Sequence, residues 1–131
     1  MSEPINLVDY MPFAQELGLE LLDSEGSSVR ARLTVQKKLC TTGRIMHGGA
    51  IMSVADTLGA IGAFQNLPEG AKATTTIESK TNFLGAAPLD AEVEAETTPV
   101  HIGKRTSVWQ TRLTTGGKQV AIVTQTQMVL Y

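Results

Sequence analysis

The sequence predicts an α+β fold in which a curved antiparallel sheet wraps around one long central helix. Three observations carry that prediction. Apolar and polar residues alternate early and late in the chain, which is the period of a half-buried strand. Over residues 48–64 the apolar residues recur at helical spacing instead. Four strand-like segments then follow, joined by short turns, so the helix has one sheet to lie against. A chain of 131 residues suits one domain, taken as residues 1–131. At this size roughly two-thirds of the unfolded surface becomes buried, enough for a self-sufficient core.

Each element has its own signal. Residues 10–17 read as about two helical turns ending at Gly18, a natural C-cap. Residues 19–23 read as extended and residues 24–27 as a turn. Val29, Ala31, Leu33 and Val35 then interleave with Arg30, Arg32, Thr34 and Gln36, a strand with one dry face. In the long helix Ile51, Ala55, Leu58 and Gly62 form one stripe at about 100° per residue, flanked by Val54 and Ile61. Asp56 falls away from that stripe, among Met52, Gly59, Ala60 and Ala63. Small side chains there suit close approach by a ligand or a second backbone. The helix is therefore expected to have two covered faces, one on the sheet and one on a partner subunit. Residues 74–83 are rich in β-branched side chains, and Ala91, Val93 and Ala95 alternate with Glu92, Glu94 and Glu96. Residues 106–113 and 119–130 flank a Thr-Thr-Gly-Gly-Lys turn, a hairpin signal.

Composition excludes several function classes. The 11 basic and 13 acidic residues leave a net charge of −2, with no basic stripe for nucleic acid. The single cysteine, Cys40, can form no internal disulfide and has no evident base partner. The first ten residues lack a basic then apolar leader, so cytoplasm is the expected compartment. From Ile45 to Pro68 the only full charge is Asp56, but glycines, His47, Gln65 and Asn66 argue for a helix inside protein rather than a membrane. His47 and His101 show no zinc-type spacing, so no metal is expected. A charged fraction of 18% hints at a large buried interface.

Chemistry concentrates at His47-Gly48-Gly49 and Asp56. The first N–H groups of a helix lack internal partners and carry partial positive charge. Glycines let a ligand approach them. A carbonyl under attack needs such donors as its oxygen becomes an oxyanion. Asp56 supplies a carboxylate that attacks or takes a proton from water. Gly48 and Asp56 are separated by about 12 Å along a helix, whereas both must reach one carbonyl within roughly 3–3.5 Å. Two antiparallel helices from two subunits resolve this. The expectation is a composite site with Gly48 from one chain and Asp56 from the other.

The run from His47 to Asp56, His-Gly-Gly-Ala-Ile-Met-Ser-Val-Ala-Asp, resembles the signature of hotdog-fold acyl-CoA thioesterases of the phenylacetate-degradation type. Thr76-Ile77-Glu78-Ser79-Lys80-Thr81-Asn82-Phe83-Leu84 and His101-Ile102-Gly103-Lys104-Arg105-Thr106 support it, and the likeness spans about Met11 to Leu130. The resemblance implies a hydrolase acting on acyl-CoA, in homodimers paired into homotetramers. Coenzyme A would enter as part of the substrate, with no separate cofactor. It places the oxyanion donor at the Gly48 amide and the nucleophile or general base at Asp56. His47 would help hold the thioester end, beside Gly49. Thr76 would face the acyl pocket, and Lys104 and Arg105 would meet the phosphates of coenzyme A. The family's Asn or Gln six positions before the histidine is Thr41 here, a shorter group with fewer hydrogen bonds. Met52, Phe83 and Trp109 are expected to line a pocket for an aromatic or medium-chain acyl group. Two other readings compete: a non-catalytic acyl-CoA-binding module, and a hydratase, which would need an Asp and His pair spaced for water addition.

Overall fold

A computed structural model describes residues 6–24 and 26–131. Residues 1–5, and Glu25 of the expected 24–27 turn, lie outside the described residues. The chain opens with a 3-10 turn, Leu7–Tyr10, whose Val8 amide donates to Asn6 Oδ1 at 3.1 Å. A short helix, α1 (Pro12–Glu16), follows. The single helix expected over residues 10–17 is thus divided. Pro12 is the reason: it forces Met11 out of helical geometry, to φ −121 and ψ 87, and then starts a new helix itself.

Among the described residues eight strands follow in chain order: β1 (Glu20–Asp23), β2 (Val29–Thr34), β3 (Cys40–Thr41), β4 (Ile45–Met46), β5 (Ala73–Phe83), β6 (Glu92–Ile102), β7 (Thr106–Thr115) and β8 (Lys118–Leu130). Six of them form one antiparallel sheet in the order β1-β2-β6-β7-β8-β5. β3 and β4 make a separate hairpin, which the sequence pattern did not signal. β2 stops two residues short of the expected 29–36 segment. Val35 stays buried but bonds through its amide to the Ala91 carbonyl, and a 3-10 turn begins at Lys37. The β7–β8 hairpin turns on Gly116 and Gly117, at φ 53 and 78, the left-handed pair that a tight two-residue turn requires.

The long helix, α2 (Gly48–Gln65), lies across β2 and β5 to β8. Its stripe is buried as the spacing predicts: Ile51, Val54, Ala55, Leu58 and Ile61 join the core with Val29, Leu33, Val93, Leu113 and Val123 of the sheet. The opposite face is divided differently from the expectation. Gly59 and Ala63 are buried against the chain's own sheet, leaving Met52, Asp56 and Phe64 exposed and Ala60 half-buried. Trp109 is also corrected. It is fully buried, seated under Gly62, with its indole N–H donating to Ser107 Oγ at 2.8 Å. It fills the core and lines no open pocket. Among the described residues no helix is long and apolar enough to cross a membrane.

Gly62 tests the packing. A Cβ there would sit 2.8 Å from the Trp109 ring, which has nowhere to move. Alanine gains about 1 kcal/mol in helix propensity over glycine, but overpacking a closed core costs typically about 1–3 kcal/mol. Gly62→Ala is expected to lower unfolding stability in urea despite its better propensity.

Candidate active site

The site begins with the small hairpin. Its β4 strand is held by Met46 N–H to Ala87 O at 2.8 Å, and the next residue by His47 N–H to Leu39 O at 2.7 Å. This fixes His47 as the N-cap of α2. Its Nδ1 accepts from the Gly49 amide at 2.8 Å, while its carbonyl accepts from the Ala50 and Ile51 amides. The Gly48 amide is left with no acceptor among the described residues. Because Nδ1 accepts, a neutral His47 carries its proton on Nε2, pointing a donor away from the cap. A Cβ on Gly48 would lie 3.2 Å from the ring of Phe83, so Phe83 stands beside the helix start.

Asp56 lies two turns further along, on the open face of α2. Within one chain it is exposed, as its place away from the buried stripe implied. Covering that face would take its charge out of water, at a cost unless it is paired. Its Oδ1 accepts from Thr76 Oγ1 at 2.9 Å. Its second oxygen has no hydrogen-bond partner among the described residues. A hollow beside it is lined by Phe13, Gly49, Met52, Ser53 and Ser79. An adjoining hollow shares Phe13, Gly49 and Ser53 and reaches His47. The two make one open surface running from the helix start to Asp56.

A β-bulge decides which strand side chains face that surface. Thr76 pairs with Gln127 and Glu78 with Thr126, leaving Ile77 unpaired between them. In a regular strand Thr76 and Ser79 would point to opposite faces. The extra residue shifts the alternation, so Thr76 bonds Asp56 while Ser79 lines the same hollow. It also turns Glu78 away, onto Thr126 at 3.4 Å, and spares Asp56 a like-charged neighbour.

The other expected residues are distributed as follows. Thr41 is in β3, exposed, with no side-chain hydrogen bond among the described residues. Gly49 is on the open face, but its amide is taken by His47. Lys104 and Arg105 occupy the exposed β6–β7 turn, tied by Tyr131 Oη to the Lys104 carbonyl at 2.5 Å and by the Val129 amide to the Arg105 carbonyl at 2.8 Å. Thr76, Gln127 and Ser107 share one row of the sheet. The turn therefore lies roughly 10 Å across and roughly 7 Å along from Thr76. The motif reading missed Ser79, Gln125 and Gln127. Gln125 and Gln127 carried a usable signal: strand parity puts them on the dry face with Ala121, Val123 and Val129, where an amide is out of place.

A helix start with a spare amide, and a carboxylate on the same open helix face, are the parts of an acyl-transfer site. A family model described as the thioesterase superfamily matches residues 43–122, and the chain belongs to that superfamily. It is similar to 1,4-dihydroxy-2-naphthoyl-CoA thioesterase 2 of Arabidopsis thaliana, 32% identical over 97 residues, which is 74% of this chain and 60% of that protein. A mutant thioesterase from Pseudomonas aeruginosa shares its fold with a TM-score of 0.86 at 22% identity, covering 98% of this chain and 96% of that one. The PaaI protein of the phenylacetic acid degradation operon of E. coli does so with 0.85 at 20%, covering 95% and 89%. The fold is the hotdog fold, as the resemblance implied.

The cap at His47 should be separable from chemistry. His47→Ala is expected to lower stability by about 1 kcal/mol, and His47→Asn to restore most of it, since asparagine caps as well as any residue. Chemical denaturation of the two variants measures this.

Proposed function

We propose that the protein hydrolyses acyl- or aryl-coenzyme A thioesters to the free acid and coenzyme A, in a site completed by a second copy of the chain. One observation carries the reading. The spare Gly48 amide and the open oxygen of Asp56 lie on one helix but about 12 Å apart, too far to share a carbonyl. An antiparallel partner helix brings each beside the other's counterpart. Pairing Gly48 with Asp56 in both directions puts the two-fold axis at Met52, the midpoint, which is exposed. β5 sits at the sheet edge, with one side unpaired among the described residues, and its Ile77 is exposed as well. Both features suit an isologous dimer, and pairing of dimers gives the tetramer.

In that site the Gly48 amide donates to the carbonyl oxygen as charge develops. Asp56 either attacks the carbonyl carbon, forming an anhydride that water then cleaves, or takes a proton from the attacking water. Both routes consume one water and release thiol and acid. His47 Nε2–H, Gly49 and Thr41 border the thioester end, Thr76 orients Asp56, and Lys104 and Arg105 receive the phosphates. The name of the Arabidopsis relative favours an aromatic acyl group. Phe83 beside Gly48 and Met52 near Asp56 offer apolar surface for one.

Asp56→Asn is expected to lower kcat for thiol release by about 10²–10⁴, with a smaller change in KM. Gly48→Pro removes the amide while leaving a residue that suits the first helical position, and should be similarly inactive. Co-expressed, the two variants should recover activity, because one site of each mixed dimer joins an intact Gly48 to an intact Asp56. Continued inactivity of purified mixed dimers would refute the composite site. Met52→Arg is expected to yield monomers in light scattering and to abolish thiol release.

A further inference from the structure

Thr76 does not meet Asp56 alone. Behind it a line of hydrogen bonds runs through the core. Gln125 Nε2 donates to the Ala55 carbonyl at 2.7 Å, Gln127 Nε2 donates to Gln125 Oε1 at 2.6 Å, and the same nitrogen donates to Thr76 Oγ1 at 2.6 Å. Thr76 then donates to Asp56 at 2.9 Å. Gln125 and Gln127 are fully buried, where a polar group without a role is disfavoured.

We propose that Gln127, acting through Thr76, is a positioning residue for Asp56, with Gln125 and Gly59 setting the direction of the bonds. This rests on the reading of Asp56 as the reacting carboxylate. Direction follows from chemistry alone. A backbone carbonyl only accepts, so Ala55 fixes the amide end that Gln125 turns to it. Gln125 must then present its oxygen to Gln127, and Gln127 must answer with nitrogen. That nitrogen only donates, so the Thr76 hydroxyl accepts from it. The hydroxyl has one proton, which is left to point at Asp56. Oδ1 of Asp56 is therefore held as an acceptor, and the other oxygen is the one turned to substrate or water.

Two further observations support this. The Gln127 Oε1 atom is buried with no hydrogen-bond partner, so its amide is oriented by what the nitrogen bonds, at the expense of the oxygen. And a Cβ on Gly59 would collide with the Gln125 amide. The bare backbone at Gly59 is what admits Gln125 to the Ala55 carbonyl. The line thus starts and ends on adjacent residues of α2, Ala55 inside and Asp56 outside, and clamps that turn of the helix to β8 and β5.

The test is a mutant cycle in the full chain. Thr76→Val removes the last link and Gln127→Met the one behind it with little change in volume. Each is expected to lower kcat about ten- to a hundredfold, as displacement of a reacting group does, with KM little changed. The double variant should lose no more than Thr76→Val alone, because both act on one path. Thr76→Ser, which keeps the hydroxyl, should restore most of the kcat lost in Thr76→Val, and Thr111→Val, which removes a buried sheet bond to Thr97 away from Asp56, should keep near wild-type kcat. Wild-type kcat in Gln127→Met, or losses that multiply in the double variant, would overturn the proposal. An activity-independent readout covers a Gln127 variant that fails to fold. The side-chain amide signals of Gln127 in the NMR spectrum should shift on Thr76→Val, and unmoved signals would also overturn it. If the wild type releases thiol from no acyl-CoA, the hydrolase reading fails, while those signals still decide whether the line of bonds exists.

Discussion

How closely α2 approaches its sheet governs the remaining structure. At Gly59 and Gly62, one turn apart on the buried face, the sheet leaves no space for a side chain. Trp109 fills the space at one and Gln125 the space at the other. The largest side chain of the core and its main polar contact thus both depend on positions with nothing attached. A helix held this near cannot roll without driving backbone into an aromatic ring, and packed interiors resist such shifts strongly. Rotation of α2 about its axis is therefore fixed, and with it the direction in which Asp56 points.

From that rotation follows an asymmetry. One side of α2 is dry, and the other is a narrow open stripe of Gly49, Met52, Asp56, Ala60 and Phe64 with a single charge. Such a stripe is too apolar for water alone and too polar for a simple core. In the proposed dimer this surface is covered, and a charge there needs donors in place beforehand. Thr76 supplies one, and in the proposed dimer the start of the partner helix would bring partial positive charge to the other side. The bulge at Ile77 belongs to the same arrangement, since without it Glu78 would share the face of Thr76.

Local patterns determined much of this protein. Alternation along residues 29–34 and 92–97, the helical stripe from Ile51 to Ile61, and the paired glycines of the β7–β8 turn each depend on neighbours within a few residues. Periodicity reports such neighbours directly. So the long strands, the central helix and the outward position of Asp56 were legible, as was the family from the run around His47 and Gly48. The misreadings at α2 and Trp109 have one origin. Gly59 and Ala63 were assigned to the open face, and Trp109 to a pocket, because which face a small or aromatic residue meets depends on the depth of contact between α2 and the sheet.

Tertiary structure alone decided what Asp56 touches. Thr76 is twenty residues away in sequence, and Gln125 and Gln127 further still. Their meeting requires β5 to pair with β8 rather than with its sequence neighbour β6, and requires one extra residue in β5 to set the parity. Strand order and bulges arise from long-range pairing, which leaves no local period to read. The sequence could supply a carboxylate on a helix beside a glycine-rich start. Only the folded sheet could choose the hydroxyl that holds that carboxylate and the buried amides behind it.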